Sequence, residues 1–182
     1  MAQLELLGLA GALRQESTNR LLVREAARLA NASGFVEADL ALPLYDGDLE
    51  DSQGIPAAVQ TLADQIAAAD AVVISTPEYN QGISGVLKNA LDWVSRTAGG
   101  VWKGKPVAVM SAAAGRAGGA RAQYALRLAM QPFNTRLLQG PEVMIAACDK
   151  QFDDDGHLTD ESYIRSLTNL MAALQAEVAL TR

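Results

Sequence analysis

The sequence predicts a three-layer α/β fold built on a doubly wound, five-stranded parallel sheet, and three observations carry that prediction. Apolar runs alternate with amphipathic helix patterns from end to end, as in successive βαβ units. The run Asp70–Thr76 is apolar at consecutive rather than alternate positions, as a strand covered on both faces must be. Unusual loops rich in glycine and small polar residues follow the first, third and fourth runs, where open α/β sheets bind ligands.

The elements follow in order. Leu4–Ala10 reads as the first strand. Asn19–Ala32 reads as a helix with Leu22, Ala26 and Leu29 inward, closed by Ser33-Gly34. Phe35–Leu40 is the second strand, and Pro43–Asp48 a loop. Pro56 suits the first turn of a helix whose buried stripe is Val59, Leu62 and Ile66. The third strand runs to Thr76, and Val86–Val94 is a helix with Leu87, Leu91 and Val94 on one face. Pro106–Ser111 is the fourth strand, Ala120–Met130 a helix, and Val143–Ala147 the fifth strand. The last helix begins near Thr159 or Asp160 and buries Leu167, Leu170, Met171, Leu174 and Val178. In the strand order 2-1-3-4-5, the flavodoxin-like one, strands one, three and four are neighbours. Their three odd loops then converge on one crevice, which favours that order.

Composition narrows the chemistry. A chain of 182 residues predicts a single domain over 1–182. A net charge of −6 argues against nucleic acid or an anionic membrane as the general partner. No stretch approaches the roughly 20 apolar residues of a membrane span, and the N-terminus lacks a basic signal-peptide start. A cytoplasmic protein is expected. One cysteine, Cys148, permits no internal disulfide, and with one histidine, His157, the chain lacks ligands for a His/Cys zinc site. No metal is expected. His157 stands in the turn Asp153-Asp154-Asp155-Gly156-His157 and reads as solvated rather than catalytic. Cys148 reads as a small buried residue at the end of the fifth strand. If the protein is an enzyme, a cofactor carries the chemistry.

The loop Gly11-Ala12-Leu13-Arg14-Gln15-Glu16-Ser17-Thr18-Asn19-Arg20 joins a buried strand to a helix N-terminus, where free N–H groups and the helix dipole attract an anion. It is neither a Walker A loop nor G-x-G-x-x-G. Ser17 and Thr18 read equally as helix caps or as phosphate ligands. The loop Pro77–Gly85 presents backbone groups and the Tyr79 ring to a flat ligand, with Gly82 and Gly85 permitting close approach. In the third loop, Gly115, Gly118 and Gly119 form a flexible rim.

These loops, with Val86-Leu87-Lys88-Asn89-Ala90-Leu91-Asp92-Trp93 and Gly118-Gly119-Ala120-Arg121, resemble the NADPH-dependent FMN reductase family, and within it the chromate- and quinone-reducing flavoproteins. The resemblance spans nearly the whole chain. It implies FMN as cofactor, with Gly11, Arg14, Ser17, Asn19 and Arg20 at the phosphate. Pro77, Glu78, Tyr79, Asn80 and Gly82 line the ring on that reading, with Ser111 and Gly115 on its other edge. The family's usual Ser after the first glycine is Ala12 here, which implies the loss of roughly a kcal/mol of phosphate binding.

The expected activity is ping-pong transfer of hydride from NADPH or NADH to FMN, then of electrons to a small-molecule acceptor: a quinone first, with chromate, ferric complexes and azo compounds beside it. No protein group need act as acid, base or nucleophile. Tyr79 and Arg96 are the candidate substrate contacts, although Arg96 reads more simply as a solvated helix-end cation. Trp93 is expected to pack at a helix or subunit face. The rival readings are a flavodoxin-type electron carrier and a cofactor-free sensor. The resemblance also implies a homodimer paired into a homotetramer, with Arg121, Tyr124 and Glu142 between dimers.

Overall fold

A computed structural model describes residues 4–181. Strands β1 (Glu5–Ala10), β2 (Gly34–Glu37), β3 (Ala71–Thr76) and β4 (Pro106–Ala112) pair in parallel in the order β2-β1-β3-β4. Beside β4, the fifth position is shared by β5 (Arg136–Leu137) and β6 (Val143–Ile145). The strand order is the expected 2-1-3-4-5.

Side chains of successive strand residues point to opposite faces, so each central strand feeds two cores. Ala71 and Val73 of β3, with Ala108 and Met110 of β4, face helices α1 (Thr18–Leu29) and α6 (Glu161–Ala179). Val72, Ile74, Val107 and Val109 face α3 (Ala57–Ala68), α4 (Gly85–Val94) and α5 (Ala120–Met130). Every residue of β3 and β4 is buried, which is why their sequences carry no alternation. All five predicted inward residues of α6 are buried, and Asp160 caps that helix through Ser162 and Tyr163.

Four boundaries differ from the sequence reading. Helix α1 ends at Leu29, where the chain turns through Asn31 at φ 53°. Strand β2 stops at Glu37, short of Leu40: its ladder with β1 ends at Gly8 opposite Glu37, with one last bond from the Ala38 N–H to the Gly8 carbonyl at 2.9 Å, while β1 runs on to Ala10. The fifth strand is split: β5 pairs with the start of β4 and β6 with its end. Between them stands Gly140-Pro141, whose proline has no N–H to give a ladder. Finally, a seven-residue helix α2 (Gly47–Gln53) occupies what reads as loop. Asp46 caps it by accepting from the Asp48 N–H at 3.0 Å, and none of its residues is buried, so it has no apolar stripe to betray it.

Candidate functional site: three interlocked loops at the ends of β1, β3 and β4

The three odd loops do converge, and they are bonded to one another. Gly11 lies where the first loop meets the second. A Cβ there would sit 3.0 Å from Ser84 Oγ, 3.2 Å from Pro77 Cδ and 3.3 Å from Leu87 Cβ. No larger residue fits without pushing the loops apart. The Gly11 N–H donates to the Ser75 carbonyl at 2.8 Å, closing the contact.

Asn19 binds the first loop to the ends of the sheet. β3 ends at Thr76, opposite Ser111, so Ala112 lies one residue beyond the ladder. The Asn19 carboxamide takes the place of the missing strand: Nδ2 donates to the Ala112 carbonyl at 2.9 Å and Oδ1 accepts from its N–H at 3.0 Å. Ser75 Oγ donates to the same Oδ1 at 2.7 Å. At 2 % exposure and with these bonds made, Asn19 is a brace inside the frame rather than a group turned toward the crevice.

Around this brace the first loop leaves its backbone donors unused. Ser17 is the N-cap of α1, its Oγ accepting from the Asn19 N–H at 3.3 Å. The N–H groups of Arg14, Gln15, Glu16 and Thr18 have no acceptor among the described residues. With the positive end of α1 behind them, they form an anion-binding cradle. Arg14 is 75 % exposed and meets only Glu16, at 3.1 Å, so its guanidinium can swing to an anion. Arg20 is differently placed: it bonds Glu37 and Gln15, and Glu37 also holds Arg24. The Ala12 N–H turns back to the Ala10 carbonyl at 2.7 Å. Thr18 Oγ1 donates to Cys148 Sγ at 3.2 Å, which ties the turn after β6 to the same helix end.

The second loop is a tight turn. Tyr79 and Gly82 exchange backbone hydrogen bonds at 3.1 and 3.0 Å, and Asn80 and Gln81 both take left-handed φ, 50° and 65°. The positive φ values thus fall on Asn80 and Gln81 rather than on Gly82. The turn leaves Tyr79 59 % exposed at the crevice edge, while Pro77 packs inward. Open space lies beside Gly85 and Gly115. Ser111 is fully buried: its Oγ donates to the Gly118 carbonyl at 2.5 Å and accepts from Gln123 Nε2 at 2.9 Å. The same amide donates to the Val143 carbonyl, while Gln123 Oε1 is buried without a donor among the described residues. Glu78 reaches across to α5, bonding the Arg121 and Ala122 N–H groups and the Arg121 guanidinium. Beneath it a cavity of about 470 Å³ is lined by residues 113–119 and Arg121.

The remaining sequence candidates lie around this centre. Arg96 is exposed at the helix end but not free: it forms an ion pair with Glu50 of α2 at 2.9 Å and holds that carboxyl below its ordinary value. Tyr45 Oη shares Glu50 at 3.2 Å, and burial together with this carboxylate pushes the phenol up. Trp93 is fully buried, donates Nε1 to the Pro43 carbonyl at 2.7 Å and meets the Tyr45 ring edge-on at 5.0 Å. Asn89, which sequence reasoning passed over, clamps the same segment through the Tyr45 N–H and the Pro43 carbonyl. Its only signal is an uncharged amide beside the Lys88–Asp92 ion pair on the outer side of α4. Arg121 pairs within the chain with Glu78, Tyr124 is 58 % exposed, and Glu142 is exposed and acts electrostatically on Arg127, a guanidinium that burial pushes down. His157 is 47 % exposed, in keeping with the solvated reading, and has in addition a partner the sequence did not show. Its turn forms as expected, and Nδ1 lies 3.1 Å from Glu25, a buried carboxylate on α1.

Comparison with known proteins agrees with this arrangement. Residues 4–150 match the family described as NADPH-dependent FMN reductase. The chain is 41 % identical over 181 residues to an NAD(P)H-dependent FMN reductase of Pseudomonas aeruginosa, covering 98 % of this chain and 97 % of that one. It is 39 % identical over 175 residues to a quinone reductase of Escherichia coli K12, covering 94 % and 93 %. Among solved structures, FerB, a flavoenzyme NAD(P)H:(acceptor) oxidoreductase from Paracoccus denitrificans, superposes with a TM-score of 0.87 at 33 % identity, over 97 % of this chain and 98 % of that one. The interlocked loops at the ends of β1, β3 and β4 are therefore those of a member of the NADPH-dependent FMN reductase family, to which this chain belongs.

Proposed function

We propose that this chain is an NAD(P)H:quinone oxidoreductase working through FMN held in the crevice between the three loops. The observation that carries the reading is the cradle of unused N–H groups at residues 14–16 and 18, beside open space at Gly85 and Gly115. A dianionic phosphate fits the first and a flat ring the second. The relatives' names as reductases favour an enzyme over a flavodoxin-type carrier.

When bound, FMN supplies hydride acceptance from a reduced nicotinamide and delivery of the electron pair to an acceptor. The chain's own residues bind and orient. The cradle, with Arg14 and Ser17, holds the phosphate. Gly11 is the joint that lets loops one and two approach, and Asn19 and Arg20 support the cradle from behind. Pro77, Glu78, Tyr79, Asn80 and Gly82 shape one side of the ring site, and Ser111 and Gly115 the other. Exposed Tyr79 is the surface on which NADPH, NADH or the acceptor would stack. Arg96 would bind a substrate anion only by leaving Glu50. No side chain has to carry a proton or bond to substrate, and the one histidine is already engaged with Glu25. An open pocket of this kind accepts quinones first, and chromate, ferric complexes or azo compounds by the same delivery. No described helix is long and apolar enough to cross a membrane; a lone, buried cysteine suits a reducing compartment, and we place the protein in the cytoplasm.

Assembly as a homodimer or homotetramer is part of the proposal. Tyr124 and Leu128, 58 % and 68 % exposed one turn apart on α5 beside Arg121, with Glu142 near Arg127, give that helix an amphipathic outer face. Light scattering should give a dimer or tetramer, and a monomer at micromolar concentration would refute it. For the activity, steady-state NADPH oxidation by the FMN-loaded protein with a benzoquinone should give parallel double-reciprocal lines. Absence of quinone-dependent NADPH oxidation would overturn the reading.

A further inference from the structure

We infer that Glu78 is a positioning residue: its carboxylate serves as the N-terminal cap that α5 lacks, and so holds the 113–119 loop at the spacing FMN requires. Helix α5 begins after Gly119, which has left-handed φ of 90° and no side chain to cap with. No capping residue can replace it. A Cβ at Gly119 would lie 2.7 Å from Ser111 Cβ and 2.8 Å from Ser111 Oγ, buried atoms at the end of β4. Yet the first turn of a helix has N–H groups that need an acceptor.

That acceptor comes from another loop. Glu78 Oε2 accepts from the Arg121 N–H at 3.0 Å and the Ala122 N–H at 3.4 Å, while Oε1 meets Arg121 Nη1 at 3.3 Å. The side chain is 15 % exposed, so water competes weakly for these bonds. One carboxylate therefore joins the turn after β3 to the start of α5. The 113–119 loop hangs from that start: its interior bonds are Gly118 N–H to Gly115 and Ala120 N–H to Ala117, both anchored where α5 begins. Ser111 holds the Gly118 carbonyl, and Ala113 is bonded to Ile145 and Cys148, so the loop is pinned at both ends and residues 114–117 between them take their position from the start of α5, where Glu78 binds. Glu78 thus acts on the ring site through the helix end instead of by touching the ring, an inference that rests on the FMN reading of the crevice.

The test uses wild type, Glu78→Ala and Glu78→Gln, the last keeping an oxygen acceptor without the charge. Amide hydrogen exchange in the apoprotein should show Arg121 and Ala122 exchanging at least about tenfold faster in Glu78→Ala, but near the wild-type rate in Glu78→Gln. The FMN dissociation constant, read by flavin fluorescence quenching, should rise about tenfold in Glu78→Ala and stay within about threefold in Glu78→Gln. Unchanged exchange in Glu78→Ala would overturn the cap. Faster exchange with unchanged FMN affinity would overturn its role in the site. Glu78→Gln losing FMN as severely as Glu78→Ala, with its amides still protected, would make Glu78 a direct charge contact. Failure of wild-type apoprotein to bind FMN would instead sink the functional reading, and the exchange measurement would still decide the cap.

Discussion

Replacing Asn19 by Ala should destabilise the whole domain, and the amount can be worked from the bonds lost. The carboxamide makes contacts of 2.7, 2.9 and 3.0 Å to Ser75 Oγ and to both backbone groups of Ala112, at a site 2 % exposed. Truncation leaves the Ala112 N–H without an acceptor and the Ala112 carbonyl without this donor. An orphaned buried polar group costs about 1–3 kcal/mol. Ser75 Oγ can rotate to another acceptor, so its loss is the smallest. A total of about 3 kcal/mol follows. In a domain of this size each kcal/mol moves the melting temperature by about 2–4 °C, so Asn19→Ala should melt about 6–12 °C lower. Calorimetry on the apoprotein reads this without any contribution from flavin. Asn19→Asp is the informative companion. It keeps the shape and the acceptor but sets an oxygen against the Ala112 carbonyl, so its carboxyl should resist ionisation. A group whose folded pKa is raised loses stability as pH rises, and Asn19→Asp should recover toward wild type on acidification. A melting change below about 2 °C for Asn19→Ala, joined to a collapse of FMN affinity, would refute the reasoning and make Asn19 a phosphate ligand.

Two further predictions follow from the charges. Burial alone pushes Glu25 up, but hydrogen bonds from Arg28 at 2.7 and 2.8 Å and from His157, with Leu158 N–H, outweigh it and hold the carboxyl below its ordinary value. A carboxylate depressed in the folded state contributes stability above its unfolded pKa and loses it as pH falls through the folded one. The urea midpoint should therefore decline below about pH 4.3, and Glu25→Gln should be weaker at pH 7 with a shallower acid decline. Arg14→Ala should weaken FMN by about tenfold while leaving riboflavin, which lacks the phosphate, within about twofold; equal losses for both ligands would place Arg14 away from the phosphate.

The fold was legible because its signals are local and periodic. The unbroken apolar runs of β3 and β4, the stripe Leu167 to Val178 and the three loops after neighbouring strands led to the observed strand order. What escaped the sequence had no periodic signal. Helix α2 buries nothing, and the split of the fifth strand depends on how Gly140-Pro141 interrupts a ladder whose partner is far away in the chain. The site was legible as loops but not as roles. Asn19, Glu78 and Ser111 have the chemistry of ligands, yet their partners are Ala112, the α5 amides and Gly118, groups from 7 to 93 residues distant. No single segment displays such long-range satisfaction of backbone groups. Arg96 likewise reads as a substrate contact or helix-end cation, and Arg20 as a phosphate contact, until Glu50 and Glu37 are brought beside them.

The most direct test of the central claim is an anaerobic visible spectrum of the FMN-reconstituted protein before and after NADPH. Bound flavin that bleaches rapidly, and recovers its oxidised spectrum when a quinone is added, is the predicted result. Bound flavin that stays oxidised would contradict the reductase and leave an electron carrier in its place.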